Sequence, residues 1–423
     1  MGDHMKLLVI GSGGREHTLI WKFKQSPKVT EIFAAPGNAG IADLATCVDI
    51  NVDDIDGLVA FAKSNAIDLT VVGPELPLVL GVVDAFEAAG LRIFGPNKSA
   101  ARFEGSKDFT KAFLMRHGIP TAKYASFTEP AAAIEALSEF GYPVVVKADG
   151  LAAGKGVIIA QNESEATKAI MDMMADKVFG EAGDLIVLES FLKGIEASIL
   201  CFVDGKDIVP MQPAQDYKKI FDGDLGLNTG GMGTYSPSQI IDEALMSRIQ
   251  TEILNPFITG IQKDGINFKG ILFVGIMIDG DDINVLEYNV RMGDPETEVT
   301  LPRLENDLLE IIEAILDERL SEVSLSWSDS HAVCVIMASG GYPEHYEKGF
   351  PISGLDRAED AVVFHCGTKL NGDAVVTNGG RVLGVTALGN TLEAARTAAY
   401  DNVKHIRFDK AYCRTDIAKR IER

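Results

Sequence analysis

One stretch limits the fold of this chain more than any other: Lys147-Ala148-Asp149-Gly150-Leu151-Ala152-Ala153-Gly154-Lys155-Gly156. It runs out of one β-rich segment, 143–148, and into a second, 157–160. A glycine-rich loop between two strands can close over phosphates with its backbone amides. The strand-to-helix phosphate loop does not fit, because the glycine spacing differs, Gly156 stands where Ser or Thr is needed and a strand follows. The predicted unit is a mobile flap on a β-hairpin; a surface hairpin without a ligand is the alternative. Lys147, on the first strand, sets a cation within reach of an α- or β-phosphate.

The surroundings of this hairpin predict several domains. A chain of 423 residues is too long for one core. Up to about residue 100, β-rich runs at 6–10, 31–35, 69–72 and 91–94 alternate with helical patterns at 15–24, 58–64 and 82–89. That is the signature of a parallel sheet with crossover helices, a Rossmann-like unit. Three of its strands end in turn chemistry, at Pro36-Gly37-Asn38, Gly73-Pro74-Glu75 and Gly95-Pro96-Asn97. Ligands in such sheets sit at those carboxyl ends. The middle is α+β, with strands expected at 185–188, 197–203, 271–278 and 283–290 and helices at 163–175, 242–263 and 307–320. A polar stretch at 326–330 precedes a small α/β segment, with strands at 332–337, 362–364 and 381–387 and a helix at 392–405. The domains expected are 1–104, 105–327 and 328–423. Residues 1–4 read as a non-native leader, with Met5 as the native start.

Charge and cysteine usage exclude several function classes. The net charge of −22 argues against a duplex-binding face, since phosphate contacts along nucleic acid need a basic surface. Small anionic substrates remain open to it. No apolar run reaches the ~18–20 residues that span a bilayer, and 6–10 is too short for a signal peptide. The five cysteines are scattered, odd in number and without a C-x-x-C pair, which predicts a reduced, cytoplasmic setting.

Three further constellations carry chemistry. Gly11-Ser12-Gly13-Gly14-Arg15-Glu16-His17 joins a strand to a helix, where free amides favour an anion; a tight turn without a ligand is the plain alternative. The dinucleotide fingerprint needs glycine at position 16, which is Glu16, so a nicotinamide enzyme is weakly supported. Glu287 and Asn289 lie two apart on a predicted strand and share a face. A carboxylate and an amide oxygen there suit Mg²⁺ bound with nucleotide phosphates, or else form a solvated strand face. Arg291 continues that face and could grip a substrate carboxylate at two points. Asn228-Thr229-Gly230-Gly231-Met232-Gly233 is a second glycine loop, either a close approach to a ligand or a plain long loop.

Together these segments resemble the phosphoribosylamine–glycine ligase family of the ATP-grasp superfamily. The matching pieces are GSGGREH at 11–17, APGNAG at 35–40, VGPE at 72–75, FGP at 94–96, EGSK at 104–107 and KADGLAAGKGV at 147–157. NTGGMG at 228–233, GDPETE at 293–298 and TNGGRVLGVTALG at 377–389 complete the set, in order and across nearly the whole chain. The resemblance implies an N-terminal pre-ATP-grasp domain, a central ATP-grasp fold and a small C-terminal α/β domain. It implies a reaction in which ATP phosphorylates glycine and 5-phosphoribosylamine attacks the glycyl phosphate. By the same resemblance, Lys107, Lys147, Gly154, Lys155 and Gly156 meet ATP phosphates, Glu189 lies at the adenine hinge and Glu196 holds the ribose. Glu287 and Asn289 hold Mg²⁺, for which Mn²⁺ can stand in. Arg291, Asp216 and Lys218 are the catalytic candidates, with Arg291 on the glycine carboxylate. Gly13, Gly14, Arg15, Gly37, Asn38, Gly73, Pro74, Glu75, Gly293 and Asp294 line the substrate side.

Two stretches depart from the family pattern. The family's Q-D-H-K-R reads Gln215-Asp216-Tyr217-Lys218-Lys219, with Tyr217 for histidine and Lys219 for arginine, and its G-P-N-T reads Gly226-Leu227-Asn228-Thr229, with Leu227 for proline. A stand-alone, bacterial-type enzyme is expected, a monomer rather than an oligomer, with no nucleic-acid or membrane partner. The rival readings are an ATP-grasp ligase or carboxylase with another carboxyl substrate, a nicotinamide oxidoreductase and a non-catalytic nucleotide-binding regulator.

Overall fold

The computed structural model describes residues 4–151 and 156–419. Leu7, Leu8, Val9 and Ile10 are all fully buried, so strand Met5–Gly11 is covered on both faces. A strand of that kind belongs inside a parallel sheet. It is the centre of five parallel strands ordered Thr46–Cys47, Val29–Pro36, Met5–Gly11, Leu69–Val72 and Ile93–Phe94. The winding reverses at the central strand, which opens a crevice beyond Gly11, Pro36 and Val72.

Two helices that the periodicity did not mark, Lys98–Gly105 and Lys107–Arg116, lead into the central region. Their caps are the readable signal. Asn97 Oδ1 accepts from Ala100 N at 2.9 Å, and Ser106 Oγ from Phe109 N at 3.1 Å. Phe103 and Phe113 on these helices pack edge-on or tilted with Phe257, and Phe103 also meets Tyr288 at 6.0 Å. This aromatic cluster fixes strand Asp282–Asn289, which carries Glu287 and Asn289.

Two antiparallel sheets form the middle. One orders strands Tyr124–Phe127, Ile186–Ser190, Val144–Ala148 and Val157–Ala160; the other orders Ile208–Pro210, Ile195–Val203, Gly270–Asp279 and Asp282–Asn289. The expected helix at 242–263 is broken by a π turn at Gln250–Leu254, just ahead of Pro256. Proline has no N–H for the ladder, and the turn absorbs the missing bond. The expected helix at 307–320 stops at Leu316, with Glu318 in the left-handed region at φ 57°.

The last sheet is shared along the chain. It orders Gln215–Asp216, Gly233–Ser236, His331–Ser339, Arg381–Gly389 and Val362–His365, with Ala411–Tyr412 added to His331–Ser339. Helix Leu392–Val403 covers it through Ala395 and Ala399. Among the described residues no helix is long and apolar enough to cross a membrane.

Candidate active site

These elements enclose a cleft of about 1100 Å³. Its floor is the end of strand Asp282–Asn289. Glu287 and Asn289 share one face, with Asn289 Nδ2 3.5 Å from Glu287 Oε1. Burial works against the Glu287 charge, but Lys218, Lys147 and Lys107 hold its carboxyl below the usual range. Arg291 follows, clamped between two carboxylates. Its Nη2 donates to Glu104 Oε1 at 2.8 Å, and its Nε lies 3.3 Å from Glu75 Oε2. Glu104 is fixed in turn by Val290 N, at 2.8 Å from its other oxygen.

Lysines line the flap side. Lys107 opens helix Lys107–Arg116 and donates to Gly150 O at 2.9 Å. The root of the flap is tied to the same helix end, since Asp149 Oδ1 accepts from Asp108 N at 3.0 Å. Gly150 needs its glycine there, at φ +93°. Lys147 pairs with Glu189 at 2.9 Å, and the other Glu189 oxygen lies 3.2 Å from Lys111. Lys218 bridges Glu196 and Glu287, the latter at 3.8 Å. Gly156 lines the cleft; Gly154 and Lys155 lie outside the described residues.

On the N-terminal side the anion over the first turn is the protein's own. Glu16 accepts from Gly13 N at 2.7 Å and pairs with Arg15 Nε at 2.6 Å. A Cβ at Gly11 or Gly73 would fall 2.4 or 2.0 Å from this side chain, so these glycines make room for it. The residue that breaks the dinucleotide fingerprint thus fills the space a pyrophosphate would need, and the nicotinamide reading loses its site. Arg15 is buried, with Nη1 on Met292 O at 3.3 Å, and its amide faces Asp294 Oδ2 at 3.4 Å. Burial opposes the charge of Asp294, yet Arg381 and Arg15 keep its carboxyl low. Gly293 makes room for Glu296, whose Oε2 a Cβ there would meet at 2.3 Å. Pro74 precedes helix Glu75–Leu80 and delivers Glu75 to Arg291. Gly37, at φ +73°, lets the chain turn against Cys47. Asn38 is spent on stitching: its Nδ2 donates to Ser12 O and His365 O, both at 2.8 Å, and its Oδ1 accepts from Gly40 N and Ile41 N. Any ligand contact at Asn38 must therefore use its backbone.

Asp216 and Glu296 form an acidic pair across the cleft. Burial, then Glu296, pushes the Asp216 carboxyl well above the usual range. Despite burial, Glu196, Glu287 and Asp216 keep the Lys218 ammonium charged. Tyr217 borders the cleft, but its hydroxyl accepts from Ala418 N at 3.0 Å and Arg414 lies 4.9 Å over its ring. That residue orients a loop. Leu227 is half exposed on strand Leu225–Asn228 and does not line the cleft. Residues to which the sequence reading gave no role also converge here: Glu104, Lys111, Glu296 and Arg381 line the cleft, while Glu298 is buried against Gly14, where a Cβ would fall 2.4 Å from its Oε1. Arg381 Nη1 holds Asp294 O and Gly230 O, both at 2.9 Å, and so joins the second glycine loop to the GDPETE turn.

Three family descriptions match consecutive parts of the chain. They are the N domain of phosphoribosylglycinamide synthetase at residues 5–104, its ATP-grasp (A) domain at 105–297 and its C domain at 332–420. The phosphoribosylamine–glycine ligase of Caldanaerobacter subterraneus subsp. tengcongensis is 49% identical over 414 residues, covering 98% of this chain and 99% of that protein. The ligase of the same name from Vibrio vulnificus is 52% identical over 421 residues, covering 98% of each. The crystal structure of phosphoribosylamine–glycine ligase from Thermotoga maritima superposes with a TM-score of 0.85 at 33% identity, over 97% of this chain and 100% of that one. The biotin carboxylase domain of the Hydrogenobacter thermophilus 2-oxoglutarate carboxylase shares the fold alone, with a TM-score of 0.72 at 15% identity over 96% and 91% of the two chains. A shared-fold carboxylase at that distance, set beside full-length relatives at about half identity, leaves one assignment: the chain belongs to the phosphoribosylglycinamide synthetase family, with its N, ATP-grasp and C domains in order.

Proposed function

We propose that this chain ligates glycine to 5-phosphoribosylamine, driven by ATP, and releases glycinamide ribonucleotide, ADP and phosphate. The observation that carries the reading is convergence: Lys107, Lys147, Glu287, Asn289 and Arg291 line one cleft beside the N-terminal crevice. The ATP phosphates are taken by Lys107 and Lys147 together with Gly154, Lys155 and Gly156 of the glycine-rich loop. The Glu189 side chain is engaged with lysines, so the adenine hinge contact falls to the backbone at that position. Glu196 takes the ribose.

Glu287 and Asn289 offer the hard oxygen donors that Mg²⁺ accepts. Among the described residues no group of three or more His, Cys, Asp or Glu could hold a metal by itself, so this pair would share the ion with phosphate oxygens. A divalent ion there would neutralise phosphate charge, and Mn²⁺ is an acceptable substitute.

Arg291 orients the glycine carboxylate, one oxygen of which attacks the γ-phosphorus as ADP leaves. The phosphoribosylamine nitrogen then attacks the acyl carbon, phosphate leaves and the nitrogen gives up a proton. Asp216 borders the same cleft beside Lys218, and Lys218 is fitted to balance the charge of the phosphoryl group. Gly13, Gly14, Arg15, Gly37, Asn38, Gly73, Pro74, Glu75, Gly293 and Asp294 frame the phosphoribosylamine side. The rest of the work is positioning. We place the enzyme in the cytoplasm as a monomer.

The test is ADP formation by purified protein with ATP, Mg²⁺, glycine and freshly made phosphoribosylamine. ADP release that needs both glycine and the amine supports the proposal. Release with bicarbonate in place of glycine would move the chain to a carboxylase.

A further inference from the structure

Lys111, Glu189 and Lys147 form a buried chain of charges at the edge of the cleft. The Glu189 side chain is 5% exposed, and each oxygen has its own lysine: Oε1 lies 2.9 Å from Lys147 Nζ and Oε2 3.2 Å from Lys111 Nζ. The two lysines are not equivalent. Lys111, on the inner face of helix Lys107–Arg116, also donates to Thr121 Oγ1 at 2.6 Å and to Ala122 O at 3.3 Å. An ammonium has three donors, and all three of these are committed. Lys147 sits on strand Val144–Ala148 beside the flap, and Glu189 is its ion-pair partner.

Breaking a buried ion pair leaves a charge without compensation, and that is strongly unfavourable. If Lys147 swings to a nucleotide phosphate, Glu189 needs another cation, and Lys111 is already in place. We propose that Lys111 is a positioning residue, which keeps the Glu189 carboxylate compensated so that Lys147 can leave it for a phosphate of ATP. This rests on the reading of Lys147 as a phosphate ligand. Without Lys111, Glu189 would hold Lys147 as its sole counter-ion and draw it away from the nucleotide.

The reasoning fixes a sign that a merely structural role would not. Neutralising Glu189 should repair the loss of Lys111 rather than add to it. ATP affinity is measured by calorimetry on full-length Lys111→Met, Lys111→Gln, Glu189→Gln, Lys147→Met and the double variant Lys111→Met/Glu189→Gln, with glycine KM alongside. Lys111→Gln keeps a donor for Thr121 and serves where the methionine variant folds poorly. Either neutral variant should weaken ATP by about tenfold or more, with glycine KM unchanged. The double variant should bind ATP better than Lys111→Met alone, and Lys111→Arg should stay near wild type. Wild-type affinity in both neutral Lys111 variants, or a double variant weaker than Lys111→Met, overturns the inference. Unchanged affinity in Lys147→Met sinks the phosphate-ligand reading itself, and the inference with it.

Discussion

Arg291→Lys separates recognition of glycine from recognition of ATP. The guanidinium has five N–H donors, and the protein already takes at least three: Nη2 on Glu104 and on Asn289 Oδ1, and Nη1 on Met292 O, while Nε faces Glu75 as an ion pair. Donors remain for a substrate carboxylate. A lysine has three, and Glu104, Glu75 and Met292 O would claim them. It would keep the charge that compensates Glu104, so the fold should survive, but lose at least one charge-assisted bond to glycine. Such a bond is worth roughly 1.5–3 kcal/mol. At about 1.4 kcal/mol per decade, glycine affinity should fall about 10- to 150-fold. The assay is ADP formation against glycine concentration at saturating ATP, repeated against ATP at saturating glycine, with thermal melts of both proteins. The reasoning fails if glycine KM stays at the wild-type value, or if ATP KM rises in the same proportion.

Three other outcomes are expected. Glu287→Gln should raise the Mg²⁺ concentration that half-saturates activity sharply and Asn289→Ala mildly; saturation at the wild-type concentration in both would remove them as ligands. Tyr217→Phe leaves Ala418 N–H without its acceptor and should cost about 1–3 kcal/mol of stability while the pH profile of turnover stays unchanged; a displaced pH profile would put Tyr217 in proton transfer. Asp416 is held at about 2 against a usual 3.8, because Arg414 outweighs the effect of burial. A carboxyl lowered on folding adds stability above its unfolded value, and that share is lost as pH falls from 3.8 through about 2. Asp416→Asn should therefore lower the melting temperature at pH 7 and flatten its acid dependence; equal melts at pH 7 would refute this.

The parts of the site that were legible in the sequence are those where period or glycine carries the information. Glu287 and Asn289 share a face because strand side chains alternate, and Lys147 stands out because a glycine loop follows it. Glu104, Lys111 and Arg381 were not legible, since each acts on a partner far along the chain. Glu104 reaches Arg291 across 187 positions, and no local spacing encodes that. Strands Gln215–Asp216 and Gly233–Ser236 were missed for another reason: two and four residues beside glycine loops are too short to show alternation. Helices Lys98–Gly105 and Lys107–Arg116 are shorter than the window in which an apolar stripe declares itself, although Asn97 and Ser106 announce their starts.

Because Gln215–Asp216 and Gly233–Ser236 are laced into a sheet whose remaining strands come after residue 330, the tail of this chain is not an interchangeable cassette. Cut off at the polar stretch, it would carry strand His331–Ser339 with Ala332 to Val335 bare along one edge, an invitation to pair with a neighbour. The remainder would lose the ladder that pins Gly233, and with it the anchor of its second glycine loop. Recombination between relatives would survive a junction before residue 215 more readily than one at 327. The two portions must be inherited together, since the core of the tail takes in Tyr235 from ahead of the polar stretch.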